Sequence, residues 1–248
     1  MTSIKVGIVA EGPSDLVVIR KLFGEYFKES GVPGVDLEFS NLQPYIDNTS
    51  KSGYSEGGWL MVYKWCLAHS PELRKSTYFD KGIFAEDMDA FQVSGIIVHM
   101  DADICSELKE VGAVDDCPTD ACAPEKRGEY IRLVLQSWLW PNGEEVDKQH
   151  ILCPAVESTE AWLVSGLSDE LNPESLPDIQ RILAQLDYAV VKGKKPPEKI
   201  KKPNKKAENY ETISEIASIQ VSRIAERCQH FKSAANELVD LVRAQTLA

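Results

Sequence analysis

Residues 95–104 read GIIVHMDADI, an apolar, β-branched run that stops on two aspartates, Asp101 and Asp103. A strand ending this way carries two hard oxygen donors at its tip. Two other strand-like runs end alike. IKVGIVA, residues 4–10, is followed by Glu11, and HILCPAV, residues 150–156, by Glu157, with Glu160 three positions on. If the strands are parallel, these tips share one edge of a sheet, the edge at which open α/β sheets bind ligands. Carboxylates gathered there repel one another at neutral pH, and a hard divalent cation relieves that repulsion by taking the oxygens as ligands. Mg2+ suits the set better than Zn2+, because no matching group of histidines or thiolates accompanies it. By strand alternation His99 shares a face with Asp101, where it reads as a packed strand histidine. Each acid taken singly has a plainer reading, as a turn or N-cap residue; for Glu157 and Glu160 it is a helix start, where negative charge is favoured.

The elements that must position these residues alternate. The run at 4–10 predicts a strand buried on both faces. After the turn EGPSD, a helix is expected from about Asp15 to Lys28, with Leu16, Ile19, Leu22, Phe23 and Phe27 on one face and Ser14 or Asp15 as its cap. VDLEFSNL is a second strand, WLMVYKWCLAH a helix, residues 93–100 a third strand, residues 125–139 a helix and residues 150–156 a fourth strand. A helix then opens in ESTEAWLVSGL. Beyond about residue 170 come a short helix, a lysine-proline arm and two helical stretches near 208–228 and 231–246. This order predicts an α/β protein with a mainly parallel sheet flanked by helices and a helical C-terminal portion. The expected division is a core over 1–170 and a C-terminal extension over 171–248, packed on the core rather than independent.

The bulk composition, 43% hydrophobic and 27% charged over 248 residues, is that of an ordinary globular chain. No apolar run is long enough to span a membrane, and the N-terminus lacks the pattern of a signal peptide, so a cytoplasmic protein is expected. Its six cysteines would then be reduced. Cys117 and Cys122 lie closest together, at a spacing unlike a zinc knuckle, and loop or buried thiols are the simpler reading. The net charge of −12 argues against a general nucleic-acid coat. Residues 192–206 hold eight lysines and one glutamate, a local +7 that leaves −19 for the remainder. Such an arm suits a phosphate-bearing substrate held apart from the acidic pole; a solvated lysine-rich loop is the plainer alternative.

A glutamate and glycine directly after the first strand, as in VAEGPSD, with Asp-x-Asp after a later one, resembles the TOPRIM domain, in particular the version found in OLD-type nucleases, where a further acid, here Asp15, follows. VESTEAWLVS and the C-terminal RCQHFKSAANELVDLV are similar to a family of small bacterial TOPRIM-like proteins. The core resemblance covers about residues 4–165, with a longer stretch between Glu11 and Asp101 than a minimal domain has. It implies a Rossmann-like core and Mg2+- or Mn2+-dependent hydrolysis of phosphodiesters in DNA or RNA, in bacterial phage defence or mobile-element biology. Glu11, Asp101 and Asp103 would form the primary metal shell. Asp15 and Glu157 would serve a second metal or proton transfer, with Glu160 behind them. The basic partner of the phosphate would come from Lys51, Lys126, Arg127 or the arm, with Lys194, Lys195, Lys201 and Lys202. A separate ATPase is an implied partner, since SKSGYSEGG lacks the ending of a phosphate-binding Walker loop. Two alternatives stay open: a metal-dependent binding or regulatory module without turnover, and a small-molecule phosphotransferase, against which the single glycine of the first turn speaks.

Overall fold

The computed structural model describes residues 2–45, 55–80, 92–111, 114, 118, 123–144, 146–176, 178–194, 203 and 206–246. Lys51, Cys117, Cys122, Lys195, Lys201 and Lys202 lie outside the described residues.

Four strands, β1 (Thr2–Val9), β2 (Val35–Gln43), β3 (Gly95–Asp101) and β4 (His150–Ala155), form one sheet in the order β2-β1-β3-β4. All pairings are parallel. The inner strands read as continuous apolar runs because both of their faces are covered, which is the usual condition of a parallel strand. β2 and β4 are the edge strands; only the last residue of β2 is buried, whereas β4 is buried throughout.

The helices are α1 (Pro13–Glu29), α2 (Trp59–Ala68), α3 (Pro71–Arg74), α4 (Cys105–Val111), α5 (Pro124–Leu139), α6 (Thr159–Leu167), α7 (Ile179–Lys192), α8 (Ala207–Ser218), α9 (Val221–Arg227) and α10 (Gln229–Thr246). On one face of the sheet Val6, Ile8, Ile97 and Cys153 pack with α1 and with α6 through α10. On the other, Val9, Ile96, Val98, Met100 and Leu152 pack with α2, α4 and α5. The chain steps from β1 outward to β2, then back across β1 to β3. A right-handed crossover in each direction requires helices on opposite faces, as found. The reversal puts the switch point of the sheet between β1 and β3, with Glu11 and Asp101 on either side of it.

The C-terminal helices share one buried core with α1, including Phe23, Trp162, Tyr210 and Phe231. Phe231 stands edge-on to Phe23 at 5.1 Å between ring centres. Helical periodicity over 208–228 predicts one helix, but the chain breaks at Ile219 and Gln220 between α8 and α9. The buried positions Tyr210, Ile213, Ala217, Val221 and Ile224 keep helical spacing straight through the break, so periodicity could not reveal it. The start of α1 also differs from expectation. Gly12 is its N-cap, without a side-chain capping bond, and Pro13 takes the first helical turn. Ser14 and Asp15 are therefore not caps, because proline at the first position already suits a helix start. Asp15 is left facing inward.

Candidate functional site

Glu11 follows β1 after the buried Ala10, and its Oε1 accepts a 2.8 Å hydrogen bond from the backbone N–H of Asp101 at the end of β3. This bond ties the two tips across the switch point. A second clamp comes from residues 55–58. The N–H of Gly58 donates to the Glu11 carbonyl at 2.6 Å. A Cβ on Gly57 would lie 2.4 Å from that same carbonyl oxygen, so only glycine lets the loop approach this closely. The β3 and β4 tips are joined likewise, by Ala102 N–H to the Ala155 carbonyl at 2.8 Å and Asp103 N–H to the Glu157 carbonyl at 3.2 Å.

Asp15 lies in the first turn of α1, where the helix dipole favours negative charge. It is buried, and its Oδ1 accepts a 2.8 Å bond from Thr159 Oγ1 at the start of α6. His99 is fully buried on β3 beside Trp162. Its Nδ1 lies 2.9 Å from the Cys153 carbonyl, which can only accept, so Nδ1 carries the hydrogen. That leaves Nε2 directed at Asp101, 3.2 Å from Oδ1. Neither atom has a partner in hydrogen-bond geometry. Asp15, His99 and Asp101 each contribute one potential ligand atom, all within 4.8 Å of one another.

The electrostatics follow from this crowding. Burial lifts the Glu11 carboxyl to about 7; the Asp101 N–H opposes the shift and the charge of Asp15 adds to it. Burial, then Asp15 and Glu11, push Asp101 well above the usual carboxylate range. Burial alone would lower His99, but the Cys153 side chain and the charges of Asp15 and Glu11 prevail and raise it to about 9. Acids that resist ionisation around an imidazole that resists deprotonation form a site whose charges are balanced by protons, and a divalent cation would replace those protons. The donor set fits one: a buried imidazole that fixes its other nitrogen on a backbone carbonyl is the usual support of a metal-bound histidine.

The remaining acids fall elsewhere. Asp103 is exposed at the rim. Glu157 is ion-paired with Arg127. Glu160 is buried and accepts a 2.7 Å bond from the Tyr210 hydroxyl. Of the acids expected from the sequence, Glu11, Asp15 and Asp101 lie together at the switch point; His99, expected only to pack, lies with them, and its place two residues before Asp101 on the same strand face was the available signal. Of the basic candidates, Lys126 and Lys194 are exposed, whereas Arg127 is buried against Glu157 and turned away from solvent. The four described cysteines, Cys66, Cys105, Cys153 and Cys228, are free and buried. Among the described residues no helix is long and apolar enough to cross a membrane.

No protein-family model, curated protein or solved structure matches this chain.

Proposed function

We propose that this chain is a divalent-cation-dependent phosphodiesterase acting on DNA or RNA, with the acidic switch point as its active site. The observation that carries this reading is the buried Nε2 of His99, without a hydrogen-bond partner and 3.2 Å from Asp101 Oδ1 beside Asp15, with Glu11 bonded to the Asp101 backbone. Asp15, His99 and Asp101 would hold the cation. An imidazole among carboxylates shifts the preference from Mg2+ towards Mn2+. When bound, the cation supplies a more acidic water and stabilises charge on a phosphoryl oxygen.

The chain's own residues set the rest. Glu11 holds the β3 tip through the Asp101 N–H, Thr159 holds the Asp15 carboxylate, and the Cys153 carbonyl holds the imidazole. Asp103, exposed on the rim, would be the carboxylate that accepts a proton from the attacking water. The TOPRIM resemblance of Glu11, Asp101 and Asp103 supports nucleic acid as the substrate, a bacterial defence or mobile-element setting, and a separate ATPase as companion.

A second reading, a metal-dependent binding module without turnover, draws support from one observation. Glu157 and Glu160, two of the acids expected to serve a second metal or proton transfer, are engaged by Arg127 and Tyr210.

Calorimetric titration with Mn2+ and Mg2+, run beside cleavage assays on plasmid and RNA, separates the two. The enzyme reading expects cation-dependent cleavage that is lost in Asp101→Ala and cut at least about tenfold in His99→Gln. Cleavage unchanged by Asp101→Ala would remove the site. Tight cation binding with no cleavage selects the binding module.

A further inference from the structure

Beside the acidic edge lies a cavity of about 490 Å3 with two walls of different origin. Asp103, Glu157 and Ser158, from the tips of β3 and β4, form one wall. Asp178, Ile179, Gln180 and Arg181, from the first turn of α7, form the other.

The helix wall is rich in donors. α7 is 14 residues long and its N-cap, Asp178, makes no side-chain capping bond. Its first turn returns Arg181 N–H and Ile182 N–H to the Asp178 carbonyl, while those of Ile179 and Gln180 have no backbone acceptor among the described residues. A helix start with free N–H groups attracts anions. Arg181 is exposed, and among the described residues its guanidinium has no ion-pair partner.

The strand wall supplies an independent sign. Ser158 is 2% exposed, and its Oγ has no hydrogen-bond partner although the residue lines the cavity. A buried hydroxyl left without a partner costs free energy unless a ligand meets it. The backbone is also held under strain here. Glu157, at φ 62°, and Asp178, at φ 56°, are the non-glycine residues with left-handed backbone among the described residues, and both line this cavity. Ser158 N–H closes back on the Val156 carbonyl at 2.9 Å, so β4 ends in a tight turn centred on Glu157. Strain of this kind persists where the surroundings impose it, commonly at ligand sites.

We infer that this cavity is a phosphate subsite, with Arg181, Ser158 Oγ and the N–H groups of Ile179 and Gln180 as its donors. Its ligand class is a phosphate mono- or diester. On the reading proposed above, this is the nucleotide unit next to the one at the cation site. The strand wall is acidic, but the Glu157 charge is met by Arg127 and Asp103 stands at the cation edge, so the donors of the helix wall face the phosphate. Asp178 and Asp103 are the carboxylates that oppose it. Arg181 is a positioning residue, since it acts on the phosphate beside the reacting one.

The test is equilibrium binding of inorganic phosphate and of a 5′-phosphorylated dinucleotide, followed by calorimetry on the full chain with Mn2+ titrated in parallel. The expected result is at least about a tenfold loss of affinity in Arg181→Gln, partly restored in Arg181→Lys, a smaller loss in Ser158→Ala and a gain in Asp178→Asn. Arg181 is exposed, so its replacement leaves the core intact. Phosphate affinity unchanged in Arg181→Gln, with Mn2+ still bound, overturns the subsite and leaves the cation site standing. Phosphate binding that depends on Arg181 in a protein that takes up no Mn2+ keeps the subsite and overturns the active-site reading. A dinucleotide held more tightly than phosphate identifies a nucleic-acid strand; equal affinities assign free phosphate compounds and exclude the strand.

Discussion

Glu11 meets Asp101 through the backbone: its Oε1 accepts the Asp101 N–H at 2.8 Å, and so one strand tip is fastened to the next at the point where the strand order reverses. The bond needs an acceptor atom, whereas cation binding needs charge. Glu11→Gln separates these roles. The variant is expected to keep its unfolding midpoint in urea, since the acceptor remains and a buried like charge is removed, while Mn2+ affinity falls about tenfold or more. A large loss of stability without a change in affinity would show that the carboxylate is structural only.

Tyr210 and Glu160 make the second test. The Tyr210 hydroxyl is the donor that satisfies a carboxylate 2% exposed, from a helix that follows the lysine-rich arm. Tyr210→Phe removes the donor and leaves the acceptor buried, which costs about 1–3 kcal/mol. Chemical denaturation measures it. Mn2+ affinity should stay the same, because Tyr210 is outside the group formed by Asp15, His99 and Asp101, and Glu160, whose charge acts on Asp101, is retained.

Gly57 is predicted to be intolerant of any side chain. Its Cβ would lie 2.4 Å from the Glu11 carbonyl oxygen, a backbone atom that cannot swing aside. Gly57→Ala should cost about 1–3 kcal/mol and weaken Mn2+ binding by displacing the β1 tip. Gly31→Ala is a less informative control, since that residue has a left-handed backbone of its own. Wild-type stability and affinity in Gly57→Ala would contradict the docking of this loop.

Glu174 carries a pH prediction. Burial, and after it the charge of Glu125, raise its carboxyl to about 8, with Arg127 pulling the other way. The folded value lies above the ordinary 4.5, so the folded chain retains a proton that the unfolded chain has already released. Its contribution to stability is complete below about pH 4.5 and is lost as the pH rises through about 8. The urea midpoint should therefore fall across that window, and Glu174→Gln should flatten this part of the profile. An unchanged profile in the variant would place the proton on another group.

Much of the architecture is legible in the chain itself. The inner strands are mostly apolar runs rich in β-branched residues, as strands covered on both faces require, and helices of regular apolar spacing separate them, so a parallel α/β sheet follows from pattern alone. Strand ends are also local features, and Glu11, Asp101 and Asp103 could be placed at one edge without a structure. Spacing could not show that Glu157 would meet Arg127, or that Glu160 would meet Tyr210, since these partners lie 30 and 50 positions apart. His99 illustrates the division. Alternation assigned it to the face of Asp101, but whether its second nitrogen was satisfied depended on the Cys153 carbonyl of a neighbouring strand. Arg181 and Ser158 gave no signal at all, because the cavity between them exists only once α7 has folded back against the strand tips. Chain order and hydrophobic period determine where strands end and which acids stand there. Which of those acids stay open to a ligand, and which are engaged by a neighbour, is decided by long-range packing, because only packing sets the distance between groups remote in sequence.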